Sequence, residues 1–251
     1  MKMRFKTKTF ISTILCILSI YALFMTCIDM CAFQRKFFNY EYGVLNTAEK
    51  IGMSKNSLYV ATDTLLDYLK DYRDNIDVKV KIHNREREVF DEHEKEHMVD
   101  VKNLYQDAMT LRNISLILIL ILLLLLAYDN KKEIKEVLTY TYQRVFLVFI
   151  FFLSALLLYA VSDFTTFWTK FHTIFFSNDL WLLDPDTSVM INMFPEPFFY
   201  SLVFLIAGTF FLILILAFLY SIHYQRKLRR AVKVKMGVQE ENVLEDFNKN
   251  L

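Results

Sequence analysis

The sequence predicts an all-α membrane protein: four transmembrane helices with a small, mostly helical extracytoplasmic cap. Three observations carry that prediction. Four windows are almost purely apolar: Thr9–Phe33, Leu111–Tyr128, Val145–Phe164 and Phe198–Ile222. A bilayer core of roughly 30 Å takes about 20 apolar helical residues, a length each window meets or approaches. Three clusters of Lys and Arg near these windows fall on one side, and the two segments left on the other side are too long and too patterned for plain connections.

The first window follows the charged start MKMRFKTK. It is longer than the apolar stretch of a signal peptide and lacks a small-residue cleavage site, so it reads as an anchor. Cys16, Cys27 and Cys31 lie in it or at its end and show no disulfide spacing; they read as apolar filler. Lys2, Arg4, Lys6 and Lys8 precede it. Lys131, Lys132, Lys135 and Arg144 fill the middle connection, and Arg226, Lys227, Arg229, Arg230, Lys233 and Lys235 follow the fourth window. By the positive-inside rule both termini are expected in the cytoplasm of a multi-pass cell-membrane protein. The expected division is 1–33 N-terminus and first span, 34–110 cap, 111–164 second and third spans, 165–197 interfacial loop, and 198–251 fourth span and basic tail.

Within the cap, Leu58, Ala61, Leu65, Leu66 and Leu69 recur at helical spacing and predict an amphipathic helix through LYVATDTLLDYLKDYRDNI, residues 58–76. IDVKVKI alternates as a half-buried strand does. REREVFDEHEKEHMVDVKNLYQDAMTLR is expected as one charged helix running into the second span, with Phe90, His97, Val101, Leu104 and Ala108 on one face. The other outer segment, FHTIFFSNDLWLLDPDTSVMINMFPEPFF, is half aromatic. SND and DPD mark turns, and FPEP is expected to hold off helix until Phe198.

The chemistry is first narrowed by what is missing. With 4 glycines there is no phosphate-cradling loop and no Gly-x-Ser-x-Gly elbow, which disfavours a nucleotide-driven transporter or that kind of serine hydrolase. Intramembrane charge is nearly nil, Asp29 lying toward the outer end of the first span, so an ion path is not indicated. His93-Glu94-Lys95-Glu96-His97 matches H-E-x-x-H, the zinc-hydrolase pattern, but its flanks lack the apolar helix that buries such a site. A third ligand would have to come from His172 or Asp184. His97 and His172 are both expected outside, near the outer lipid interface, where an imidazole pair can act as base and acid in moving an acyl group. A non-enzymatic sensor or assembly factor, binding a partner through the cap, is the reading from a different class.

EKEHMVDVKNLY and the aromatic segment also resemble the two signature regions of the bacterial lipoprotein intramolecular transacylase family. YEYGVLNTAEKIGMSKNSLYVATDTLLDYL extends the likeness over most of the chain up to the fourth span. The resemblance implies a diacylated lipoprotein substrate among membrane lipids, with the sn-2 acyl chain of its diacylglyceryl-cysteine moving to the cysteine's own α-amino group. The product would be a lyso-form lipoprotein. It implies His97 and His172 as the catalytic pair, and neither cofactor nor metal nor nucleic acid. Ser188 stands where the family pattern has an acidic residue. Supporting roles are expected for Asp100, as a tautomer-fixing carboxylate, and for Lys102. Phe171, Phe175, Phe176 and Trp181 are expected as cleft walls, with Asn178 and Asp184 setting a turn that aims His172.

Overall fold

The computed structural model describes residues 3–130 and 133–249, and for residues 235 and 237–249 the backbone alone. Lys2, Lys131, Lys132 and the Lys235 side chain lie outside the described residues. Among the described residues, four helices are long and apolar enough to cross a membrane. They are α1 (Phe5–Ala32), α5 (Glu92–Asn130), α6 (Ile134–Ser162) and α9 (Glu196–Lys249). Along α5 and α6 the side chains of Ile117, Leu120, Leu124, Phe151 and Phe152 are exposed. Apolar faces of that extent are stable against lipid rather than water.

The cap segment begins with α2 (Arg35–Leu45), α3 (Thr47–Ile51) and α4 (Lys55–Leu69). Helix α4 is shorter than expected, ending seven residues before Ile76 at a Schellman motif. Asp71 takes a left-handed φ of 63°, its N–H donating to the Tyr68 carbonyl while that of Tyr72 donates to Asp67. The expected strand is β1 (Lys79–Ile82). Its partner β2 (Arg85–Glu88) was expected as helix, and this is a correction. His83 and Asn84, both at positive φ, form the two-residue turn that lets the chain double back. The register then places Lys79 opposite Glu88, so charges that fit a helix face serve a ladder instead. Gly52 at φ 72° lies directly under the His83 ring, and its carbonyl accepts the His83 N–H at 2.9 Å.

The outer aromatic segment is more helical than its turn signals suggest. Asp163 ends the third apolar run and caps a new helix, α7 (Phe164–Phe175), accepting from the Thr166 N–H at 3.0 Å. Ser188 caps the short α8 (Val189–Met193) in the same manner. Helix α9 starts at Glu196, two residues before the expected Phe198. Pro197 sits in its first turn, where the missing N–H costs nothing.

Contacts divide the chain into two units, and each long helix contributes to both. One comprises residues 1–20, 116–153 and 211–251. There the Lys8 ammonium is held by Asp129 at 2.8 Å and Glu133 at 2.6 Å, while the Tyr142 hydroxyl donates to the Leu214 carbonyl. The other comprises 21–115 and 154–210. Its core joins Phe38, Leu58, Leu65, Ile82, Phe90, Met98, Met193 and Phe198, so the cap packs on α8 and the start of α9. Asp29 belongs to this unit and is not a lone interfacial carboxylate. It accepts from the Tyr105 hydroxyl at 2.6 Å and pairs with Lys70 and Arg112.

Candidate active site

His97 projects from the second turn of α5, well before that helix becomes purely apolar at Leu116. The turn is fixed by a capping box. Asp91 Oδ1 accepts from the Glu94 N–H and Glu94 Oε2 from the Asp91 N–H, both at 2.8 Å. His172 projects from the last turn of α7. The two rings meet with centroids 6.4 Å apart and planes inclined by 34°. That is too far for a direct hydrogen bond and close enough for one ligand atom to touch both.

Four aromatic side chains enclose His172. Trp181 stacks on it at 4.9 Å, Trp168 and Phe171 meet it edge-on, and Phe176 lies 5.7 Å from it and 5.5 Å from His97. His172 Nδ1 lies 2.8 Å from the Trp168 carbonyl oxygen. A carbonyl can only accept, so Nδ1 carries the hydrogen and Nε2 keeps its lone pair. Burial and the neighbouring His172 push the His97 pKa down to about 4. Burial also lowers that of His172, partly opposed by its carbonyl partner. Both rings are therefore neutral at pH 7.

The pair lines an apolar cavity of about 480 Å³ in this unit. Its walls come from α1 (Ile28, Phe33), α4 (Leu65, Leu69), α5 (Val101, Tyr105), α7 (Trp168, Phe171), α8 (Met190) and α9 (Phe198, Leu202). A volume within the ordinary ligand-site range, apolar walls and a few convergent polar groups suit a lipid chain presented to two imidazoles.

The supporting residues divide. Phe171, Phe176 and Trp181 line the cavity. Asn178 receives the Trp181 indole N–H on its backbone carbonyl at 3.0 Å, and its amide donates to Asp100 at 2.8 Å. Asp100 thus ties the loop that lays Trp181 on His172. No hydrogen bond joins it to His97 among the described residues. Asp184 organises the next turn, accepting from the Asp186 N–H, and stays exposed away from the pair. Lys102 pairs with Asp71 and lies over the Tyr68 ring, outside the cavity lining. Phe175 is half exposed and packs on Phe171.

One residue the sequence weighed only as a zinc-site base has a different place. Glu94 is 1% exposed. Its Oε1 accepts from the Ser188 hydroxyl at 2.5 Å and the Met190 N–H at 2.8 Å, while Oε2 serves the capping box. A serine at 188 suits this carboxylate; an acidic side chain there would face like charge. His93 is exposed while His97 is buried, and no group of three His, Cys, Asp or Glu positioned for a metal occurs among the described residues.

A family model described as lipoprotein intramolecular transacylase Lit matches residues 13–199, most of the chain and both histidines of this site. The chain belongs to this family. Members of the lipoprotein intramolecular transacylase family are acyltransferases acting on lipoproteins, and the protein is one of them. The membrane integral transacylase Lit from Bacillus cereus has the same fold. Its structure is 21% identical with a TM-score of 0.70, covering 89% of this chain and 100% of that one. A variant of that protein with one histidine replaced by alanine matches at 20% identity and TM-score 0.67, covering 89% and 96%. A variant with arginine at a histidine position gives 21% and 0.63, covering 90% and 94%. Among curated proteins nothing matches the chain.

Two transacylase-site features escaped the sequence reading. The clamp on Ser188 and Met190 could have been suspected from Asp91-x-x-Glu94, a capping-box spacing hidden inside H-E-x-x-H. Nothing in the spacing of Trp168 shows that its carbonyl sets the His172 tautomer.

Proposed function

We propose that the chain transfers the sn-2 acyl group of a diacylglyceryl-cysteine to that cysteine's own α-amino group, using His97 and His172 together at the outer leaflet. The facing of a buried and a half-buried imidazole across 6.4 Å, in an apolar cavity, is the observation that supports this reading.

His172 Nε2 takes the proton from the amine as nitrogen attacks the ester carbonyl. The new C–N bond forms, the tetrahedral centre collapses, and the bond to the sn-2 oxygen breaks. That oxygen receives the same proton back from His172. One proton leaves nitrogen and one arrives on oxygen, so both rings end as they began. The sequence suggested an imidazolium acid. A pocket that lowers both pKa values favours a neutral His97 instead, its ring N–H donating to the carbonyl oxygen as negative charge develops there. Both reacting groups sit on one molecule, so most of the work is orientation, worth about 7–11 kcal/mol when geometry is ideal. Rings stacked around His172 keep water from competing with the amine.

Mass spectrometry of a lipoprotein's N-terminal peptide tests the reaction. Total mass is expected to stay constant while one acyl group moves from oxygen to nitrogen. Arrival of a labelled acyl group from a second phospholipid would refute the intramolecular route.

The proposed orientation places both termini in the cytoplasm and the cavity outside, on the strength of the three basic clusters. Single cysteines at Asn84 and Asp186 are then expected to react with a membrane-impermeant maleimide in intact cells, and one at Lys135 is not. The native cysteines are all buried, which keeps the background low. Labelling at Lys135 alone would invert the topology.

A further inference from the structure

The family match ends at Phe199, near the start of α9. That helix continues without a break to Lys249. Between residues 197 and 239 it carries no acidic residue, yet Arg226, Lys227, Arg229, Arg230 and Lys233 follow within a dozen residues of Ile222, the end of the apolar run. All five are exposed, and no carboxylate among the described residues lies within ion-pair distance of them. At 3.6 residues per turn they fall within an arc of about 160°, with Leu228, Ala231 and Val232 opposite. Gln225 donates to the Glu136 carbonyl and Thr139, so this part of α9 lies beside the start of α6. There Lys135 is exposed above the Tyr220 and Tyr224 rings, which adds a cation. The nearby carboxylates are Asp129 and Glu133, which hold Lys8, and the exposed Glu136.

We propose that this basic face of α9 binds the anionic phospholipid headgroups of the leaflet it emerges from. Distance along the helix supports lipid over a soluble partner. At 1.5 Å per residue, Arg226 stands about 6 Å and Lys233 about 17 Å beyond Ile222. The first lies within the headgroup layer, the second near the limit of the screened surface field, whose Debye length is about 8–10 Å. In the sequence the next acidic residues, Glu240, Glu241, Glu245 and Asp246, follow only from the eighteenth residue past Ile222, about 27–36 Å at helical rise. Charge of one sign near the bilayer and of the other sign beyond screening range matches a lipid surface.

The test uses full-length protein reconstituted in an equimolar mixture of phosphatidylcholine and phosphatidylglycerol. It is then extracted in mild detergent, and the lipid retained is analysed by class. One basic residue at an anionic surface changes affinity about fivefold, so the wild type is expected to retain phosphatidylglycerol at least that much above the mixture. Changing all five residues to glutamine should return the ratio to that supplied, while R226K, R229K and R230K together should keep the enrichment. Because these charges also bear on how the helix inserts, the wild type is measured in low and high salt as well; high salt should erase the enrichment. An enrichment that survives both the glutamine variant and high salt, or none in the wild type, overturns the proposal. So does retention of nucleic acid or an acidic protein in place of lipid.

Discussion

His97→Ala, His172→Ala and the double variant are expected to lose acyl transfer to a similar degree. Each should fall by about 10²–10⁴-fold, the usual cost of removing a positioned acid or base. The two rings serve one proton path and one developing charge, so removing the second should cost little once the first is gone. Fully additive losses would show two independent contributions and overturn the paired mechanism. His172 is also enclosed by four rings, so its alanine variant could lose activity through packing alone. His172→Asn separates the two causes. Its amide can still donate to the Trp168 carbonyl, but it offers no base, so normal melting with lost activity is expected. Near-normal conversion by His172→Ala would remove that residue from the chemistry. The pH profile gives an independent reading. Both rings are shifted below 6.5, and the reaction needs them neutral. Loss of activity through protonation of the two rings should therefore set in only below pH 6.5, beneath any dependence that comes from the substrate's own amine. Stability has the same sign: the unfolded chain binds protons that the folded one refuses, so it weakens as pH drops below 6.5.

The four spans were legible because a bilayer accepts only long apolar helices, and nothing else in the chain imitates them. The pairing of His97 with His172 was not legible from spacing. It came with the resemblance, since no periodicity links two residues on different helices. Lys102 shows where proximity in sequence misleads. Five residues after His97 it sits about 140° further round α5, facing Tyr68 and Asp71 instead of the cavity. Arg85–Glu88 misled for another reason. A short run of alternating charge fits an exposed helix and an exposed strand equally, and only the left-handed pair His83–Asn84 decides between them. In the aromatic segment, α7 and α8 start at Asp163 and Ser188, whose capping bonds are visible only once the turns are formed.

Glu94 gives the second large expectation. Its carboxylate joins the first turn of α5, which leads to His97, to the first turn of α8, which supplies Met190 to the cavity wall. Glu94→Ala strands the Met190 N–H and the Ser188 hydroxyl in a buried place. At about 1–3 kcal/mol for each unsatisfied donor, the loss should be roughly 2–6 kcal/mol. For a chain of this size that is a melting-temperature fall of roughly 4–24 °C. Glu94→Gln keeps one acceptor but turns an N–H₂ toward donors, so it should fall between. Activity should follow the same order, wild type above Gln above Ala, because α8 and the first turn of α5 loosen together and the His97 ring with them. Ser188→Ala should cost less than Glu94→Ala, since the Met190 N–H keeps its partner. A zinc-dependent hydrolase would behave otherwise. There Glu94→Gln would abolish activity with melting unchanged, His93→Ala would do the same, and a chelator would inactivate the wild type. That pattern would sink the clamp, whereas destabilisation graded by acceptor number, with His93→Ala near normal, is the outcome that a buried carboxylate with three donors requires.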